Sequence, residues 1–172
     1  MYHLTQETEK DWWEVEALYD LCFAPGREAL SSYRLRDGVD PVARLSLVAR
    51  DDAGIMAGAI RYWPVVICGK HGSHDALLLG PVAVHPTRQG EGLGGHLIRE
   101  SLLVAQDLGG QRVMLVGDAS YYARFGFSRL DGVEMPPPTN PDRVLAYRLQ
   151  DGGWAGVTGK VTRVTSAPDA PA

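Results

Sequence analysis

The sequence predicts an α/β domain built on one mixed, mostly antiparallel sheet flanked by helices. Three observations carry that reading. Leu45–Arg50, Ile55–Cys68 and Ala76–Val84 are apolar segments joined by the short turns Asp51–Gly54 and Gly69–His74. Strands joined that tightly form an antiparallel meander. Ala76–Val84 then leads through a glycine-rich turn into a helix and on to the apolar strand Arg112–Gly117. A strand, a crossover helix and a strand of that length pair parallel and right-handed. Finally, Leu93, Leu97, Ile98, Leu102 and Ala105 of the crossover helix share one stripe, which suits packing on a sheet.

The elements follow in order. Tyr2–Thr5 alternates as a short first strand. Thr8 can cap a helix over Glu9–Phe23, with Asp11 three residues on. Trp12, Val15, Leu18, Tyr19 and Cys22 form its apolar face, and Pro25-Gly26 stops it. A second helix over Glu28–Leu35 ends at Asp37-Gly38. Pro64 marks a bulge or the end of regular pairing in its strand, and Gly80-Pro81 interrupts the next ladder. The crossover helix spans Gly92–Leu108 and is closed by Gly109-Gly110. A short helix over Ser120–Phe125 is ended by Gly126, and a strand begins at Phe127. Pro136, Pro137, Pro138 and Pro141 make Met135–Pro141 an irregular connector. Arg143–Gln150 is a final core strand, and Trp154–Val164 adds an edge strand. Residues 1–165 read as a single domain, and Ser166–Ala172 as a disordered tail.

Composition excludes several classes. Hydrophobic residues are 45% and charged residues 22% of the 172, the make-up of a globular chain with a real core. A net charge of -4 gives no general attraction to nucleic acid or to an anionic membrane. No apolar run approaches the roughly 20 residues of a membrane span. The N-terminus lacks the basic-then-apolar order of a signal peptide. Cys22 and Cys68 match no metal spacing and make no disulfide framework, so they read as buried thiols. The expectation is a soluble cytoplasmic protein without a metal. Exposed edge strands leave monomer and homodimer open.

The chemistry centres on Pro81–Ile98, where Gly90, Gly92, Gly94 and Gly95 fall at the turn into the crossover helix. Glycine lets backbone approach a ligand closely. The first helical turn has amides without intrahelical partners and partial positive charge, which suits a phosphate or pyrophosphate. No Gly-Lys-Ser/Thr follows, so this is not a P-loop. Gly94-Gly95 comes too early for a dinucleotide fingerprint, and no acidic-ended parallel strand follows. The pattern Gln89-x-x-Gly92-x-Gly94, after a strand ending Val84-His85-Pro86, resembles the acyl-CoA loop of the GCN5-related N-acetyltransferases (GNAT). Tyr121-Tyr122-Ala123-Arg124-Phe125-Gly126-Phe127 fits a second segment of that family without a gap. With Gly117-Asp118 before it, this segment resembles the bacterial YhbS-like branch. The resemblance covers roughly Leu45–Gln150, and more loosely the N-terminal helices.

The resemblance implies a GNAT fold whose central strands Ala76–Val84 and Arg112–Gly117 start adjacent and splay, with acyl-CoA in the gap. It implies an N-acetyltransferase that moves an acetyl group from acetyl-CoA to a primary amine of a small molecule or protein by direct attack. In that frame Val82 and Val84 face the pantetheine arm through their backbone, and an amide there polarises the carbonyl. Gln89, Gly90, Gly92, Leu93, Gly94 and Gly95 hold the pyrophosphate. Tyr122 matches the family's general acid. Read from residues alone, both valines can be plain core and Tyr122 an amphipathic packing tyrosine. Tyr121 reads as packing, and Arg88 and Arg124 as either solvated or near the adenosine. No general base is evident. Leu77, Leu78 and Leu79 fill the strand where many members carry a glutamate, Asp118 reads as a helix cap, and His85 stays at the surface. Gly117-Asp118 also replaces the family's frequent Asn. The acceptor side would come from Phe23–Arg27, Tyr62–Pro64 and the segment after Phe127, with Phe23, Arg27, Tyr62 and Trp63 as its large side chains. A non-catalytic acyl-CoA sensor keeps the loop but does not need Tyr122.

Overall fold

The turns after Arg50 and Gly69 fold the middle of the chain back on itself twice. The computed structural model describes residues 1–23 and 31–164. Its elements are β1 (His3–Gln6), α1 (Trp12–Cys22), α2 (Ser31–Arg34), β2 (Leu47–Arg50), β3 (Met56–Gly69), β4 (Gly72–Val84) and α3 (Leu93–Asp107). There follow β5 (Arg112–Val116), α4 (Ala119–Tyr122), β6 (Ser128–Arg129), β7 (Val133–Glu134), β8 (Val144–Arg148) and β9 (Gly159–Arg163). Among the described residues these strands form one sheet in the order β1-β2-β3-β4-β5-β8-β6, with β9 on β3 and β7. The pairs β4–β5 and β7–β9 are parallel and the rest antiparallel.

Alternation along the strands assigns the two faces. Leu47, Ala49 and Ile60 pack with Leu93, Leu97, Ile98, Leu102 and Ala105 of α3. Val48, Ala59 and Ala83 pack on the other face with Val15, Leu18 and Tyr19 of α1. Gly58 lets α3 sit close, since a Cβ there would stand 3.1 Å from Leu97 and 3.2 Å from Leu93. A third cluster, with Leu35, Trp63, Leu78, Met114 and Val144, continues the core around β3, β4 and β5.

The parallel pairing of β4 and β5 is confined to Leu77 with Val113 and Leu78 with Met114. Beyond it, β5 stays on β8 as far as Val116. On β4 the register jumps, with Gly80 and Pro81 opposite Arg61 of β3. The expected splay is therefore present, and it begins at this bulge. Pro64 is not the bulge. It pairs regularly with Leu77 and lies between Ile60, where β2 ends, and Val65, where β9 begins. On that unpaired stretch of edge its missing N–H leaves no ladder bond unmade.

Other expectations shift in detail. Helix α1 begins later than Thr8 suggested, because Asp11 occupies the N-cap. The Asp11 carboxylate accepts from the Thr8 N–H at 2.9 Å and from its hydroxyl at 3.1 Å. Trp12 is 57% exposed. Strand β9 is no edge, since it covers Val65–Cys68 and itself pairs with β7. Cys68 is exposed, not buried. The proposed acceptor loop beyond Phe23, the start of the second helix at Glu28 and the tail Ser166–Ala172 lie outside the described residues. Among the described residues no helix is long and apolar enough to cross a membrane.

Candidate functional site

The splay leaves backbone groups of β4 facing a gap. The His85 N–H donates to Ala57 O at 2.8 Å, across to β3. In an antiparallel ladder successive residues alternate between partner and outside. Ala83 therefore also turns to β3, while the amides of Val82 and Val84 turn away, toward the side that β5 has vacated. The Val84 carbonyl agrees: it accepts from Gln89 Nε2 at 3.2 Å and from the Cys22 thiol at 3.3 Å.

At the end of β4 the chain takes a single helical turn, Pro86–Arg88. His85 caps it, Nδ1 accepting from the Thr87 N–H at 3.2 Å, so His85 is structural here. Gly90 at φ 86° and Gly92 at φ 81° carry the chain into α3. Gly92 is the N-cap and brings no side chain to satisfy the amides that follow. The His96 N–H bonds to Gly92 O, so the amides of Leu93, Gly94 and Gly95 precede the helical ladder. They end at a cavity of about 570 Å³ whose lining includes Val82, Val84, Gln89, Gly90, Gly92, Leu93, Gly94, Gly95 and Tyr122. All the site residues named from the sequence thus meet at one cavity. Free amides at a helix N-terminus, glycines without Cβ and a strand with outward amides fit a pyrophosphate followed by an amide-bearing arm.

Tyr122 lines that cavity from α4. Asp118 caps α4, accepting from the Ser120 N–H at 3.0 Å and its hydroxyl at 2.9 Å. That bond accounts for Asp118 as a cap. The Tyr122 ring meets Tyr121 edge-on at 5.0 Å and Phe127 at 5.9 Å. Its hydroxyl bonds to no described residue. Burial pushes its phenol up to about 12, so it is a proton donor throughout the neutral range. Gly117 fixes the ring from behind, since a Cβ there would lie 2.6 Å from Tyr122 Cε2. Gly117→Ala is expected to displace that ring, lowering turnover at least about tenfold while CoA affinity, measured by calorimetry, changes by less than about threefold. Equal turnover in the variant would show that the ring position does not matter.

Sequence reasoning missed part of this cavity. Tyr121 packs against the core as expected, and it also lines the cavity beside Tyr122. Arg99 lines it too and stacks on Phe125 at 4.9 Å. Its position four residues after Gly95, on the same helix face, was the available signal. Arg88 is held by Asp51 at 2.5 Å and by the Tyr2 hydroxyl at 3.3 Å, and Arg124 lies over Tyr121 at 4.6 Å.

Two further hollows continue from the first. A cavity of about 180 Å³ between the splayed strands shares Val82 and Tyr122 with it and adds Phe23, Leu79, Gly80, Tyr33 and Arg36. A hollow of about 490 Å³ then shares Tyr33, Arg36 and Pro81, and adds Glu16, Arg61 and Trp63. Phe23 and Trp63, expected on the acceptor side, thus line these two hollows. Tyr62 does not. It is wholly buried, with its hydroxyl 2.8 Å from Ser101 Oγ under α3, because alternation turns it to the opposite face from Trp63. Among the described residues no cluster of His, Cys, Asp and Glu could hold a metal.

A splayed mixed sheet with a glycine-lined helix N-terminus at the fork defines the acetyltransferase class. Residues 43–129 match the family model described as an acetyltransferase (GNAT) domain, and the chain belongs to that family. The chain is 32% identical over 151 residues to the uncharacterized N-acetyltransferase YhbS of Escherichia coli strain K12, covering 86% of this chain and 87% of that one. It is 33% identical over 140 residues to YjhQ of the same organism, covering 81% and 76%. The crystal structure of Escherichia coli YhbS in complex with CoA superposes with a TM-score of 0.81 at 29% identity, covering 95% of this chain and 89% of that one. A GNAT family acetyltransferase from Brucella melitensis in complex with acetyl-CoA superposes with a TM-score of 0.62 at 34% identity, covering 86% and 96%.

Proposed function

We propose that this chain transfers an acetyl group from acetyl-CoA to a primary amine. The observation that carries the reading is the position of Tyr122, at the junction of the amide-lined cavity and the cavity between the splayed strands. The pyrophosphate of the donor would sit on the amides of Leu93, Gly94 and Gly95, with Arg99 as a nearby cation. Its arm would run along β4, bonding to the outward groups of Val82 and Val84. That Escherichia coli YhbS was solved in complex with CoA, and the Brucella melitensis protein in complex with acetyl-CoA, supports the choice of donor.

Acetyl-CoA supplies an activated thioester, and the chain supplies three things. An outward amide of β4 stabilises negative charge on the carbonyl oxygen. Tyr122 donates a hydrogen bond to the sulfur as it leaves. The narrow cavity beyond holds the amine against the carbonyl. No carboxylate lies in the β4 segment next to the carbonyl, so the amine would lose its proton to water.

The test is thiol release from acetyl-CoA across a panel of primary amines, with a calorimetric CoA titration alongside. The expected result is CoA binding together with amine-dependent thiol release above background hydrolysis. CoA binding with no amine-dependent release would leave a non-catalytic acyl-CoA binder. Absence of CoA binding would overturn both.

A further inference from the structure

Arg36 follows α2 and lines both the cavity beside Tyr122 and the outer hollow. Its guanidinium lies 4.1 Å from the ring centre of Tyr33 and 5.2 Å from that of Trp63. Stacking fixes the plane of a guanidinium and leaves its N–H edge for hydrogen bonds. Arg36 Nε is buried without a hydrogen-bond partner. So is Trp63 Nε1, on a side chain only 9% exposed. Buried polar groups are nearly always bonded, so two unpaired buried donors on side chains that line one hollow mark a place where an acceptor is missing.

Charge gives the same answer. Arg61 lines the same hollow, and the carboxylates of Glu7 and Glu16 neutralise it at 2.7 and 2.6 Å. Arg36 has no ion pair with a carboxylate among the described residues. Burial holds its guanidinium below its ordinary value. Asp37 in the same hollow is 86% exposed at its side chain and lies 4.0 Å from Arg163.

We propose that the acceptor is an amino carboxylate, its carboxylate bound between Arg36 Nε–H and Trp63 Nε1–H while its amine reaches the cavity beside Tyr122. The inference rests on the acetyltransferase reading and names its substrate class. A carboxylate offers two oxygens with several lone-pair directions, matching two donors on separate side chains. In the transfer the N–C bond forms as the C–S bond breaks. The amine gives up one proton and the departing sulfur gains one, leaving an N-acetyl amino acid and free CoA.

The experiment compares matched pairs at saturating acetyl-CoA: β-alanine with ethylamine, γ-aminobutyrate with propylamine, and phenylalanine with phenethylamine. Phosphoethanolamine supplies a phosphate arm. At least one amino carboxylate is expected to exceed its matched amine about tenfold or more in kcat/KM. Arg36→Gln and Trp63→Phe should erase that advantage mainly through KM, and Arg36→Lys should restore part of it. Amines that work equally well without the carboxylate would overturn the inference while leaving acetyl transfer standing. A clear preference for phosphoethanolamine over every amino carboxylate would overturn it in favour of a phosphate. If CoA binds but no amine turns over, the transferase reading fails. Calorimetry of the CoA-loaded protein with the same amino carboxylates then decides: binding weakened in Arg36→Gln supports the carboxylate site, and no binding overturns it.

Discussion

Arg61→Met is expected to lower the unfolding free energy by about 3–5 kcal/mol. Arg61 sits on β3 opposite the bulge and is 5% exposed. It donates to both oxygens of Glu7, at 3.0 and 2.7 Å, and to Glu16 Oε2 at 2.6 Å. The Glu7 side chain is 9% exposed, so removing the guanidinium strands a buried carboxylate. That stranded charge, more than the lost attraction, sets the size of the effect. The loss would also free the junction between β1 and α1, which Glu7 ties to the centre of the sheet. Domains of this kind are stable by about 5–15 kcal/mol, so the variant loses a large fraction of the total. Urea unfolding measures it, and thermal scans should show roughly 2–4 °C per kcal/mol. The double variant Glu7→Gln with Arg61→Met should recover part of the loss, because no buried charge is left unpaired. The exposed pair Arg129–Asp142, at 2.7 Å but 54% and 69% exposed, should contribute less than about 1 kcal/mol by the same measurement. Arg61→Met within about 1 kcal/mol of wild type would mean the network is not a structural anchor.

The same residues show which parts of the molecule were legible in the sequence. The glycine loop could be found because local rules place it: a strand end, a left-handed turn and an uncapped helix start follow one another along the chain. Gly80-Pro81 was legible as a break in the ladder for a similar reason, since neither residue sits comfortably in a paired strand. Val82, Val84 and Tyr122 came instead from the resemblance of the loop and of Tyr121–Phe127 to two segments of the family. Asp118 was correctly weighed as a cap because its partner is two residues away. Side-chain direction was harder. Tyr62 and Trp63 are adjacent and alternation sends them to opposite faces, but which face meets α3 and which meets the outer hollow is set by the assembled sheet and has no local signal. Tyr121 packs as expected, but its second role as a cavity wall was not legible, because helical spacing does not hold through the single turn of α4 and the tighter turn after it. The charge network was out of reach altogether. Arg61 lies 54 residues from Glu7 and 45 from Glu16, and only the assembled sheet and α1 bring them together. Arg36 was invisible for the converse reason: what marks it is a partner that the described chain does not supply.

Tyr122→Phe is expected to lower kcat on the order of 100-fold with little change in CoA affinity. The Phe keeps the ring and its contacts with Tyr121 at 5.0 Å, Phe125 at 6.2 Å and Phe127 at 5.9 Å. The hydroxyl bonds to no described residue, so its removal should change stability by less than about 1 kcal/mol. Loss of turnover in a stable, CoA-binding variant would then report on the hydroxyl itself. The pH profile separates the role further. A free tyrosine loses its proton near 10, whereas burial pushes Tyr122 up to about 12. The donor is therefore present below that value and is lost only as pH rises through it, so turnover should show no falling limb near pH 10 that belongs to Tyr122. A limb near pH 10 that disappears in Tyr122→Phe would place the phenol in a more solvated setting than this one. Unchanged kcat at saturating acetyl-CoA would reduce Tyr122 to a packing residue. Gly117→Ala provides the cross-check, because it acts on the same ring through the contact at 2.6 Å. If both variants work through the Tyr122 hydroxyl, combining them should be little slower than Tyr122→Phe alone, since neighbours that share one function do not add. Additive losses would mean that Gly117 shapes the site by some route other than Tyr122.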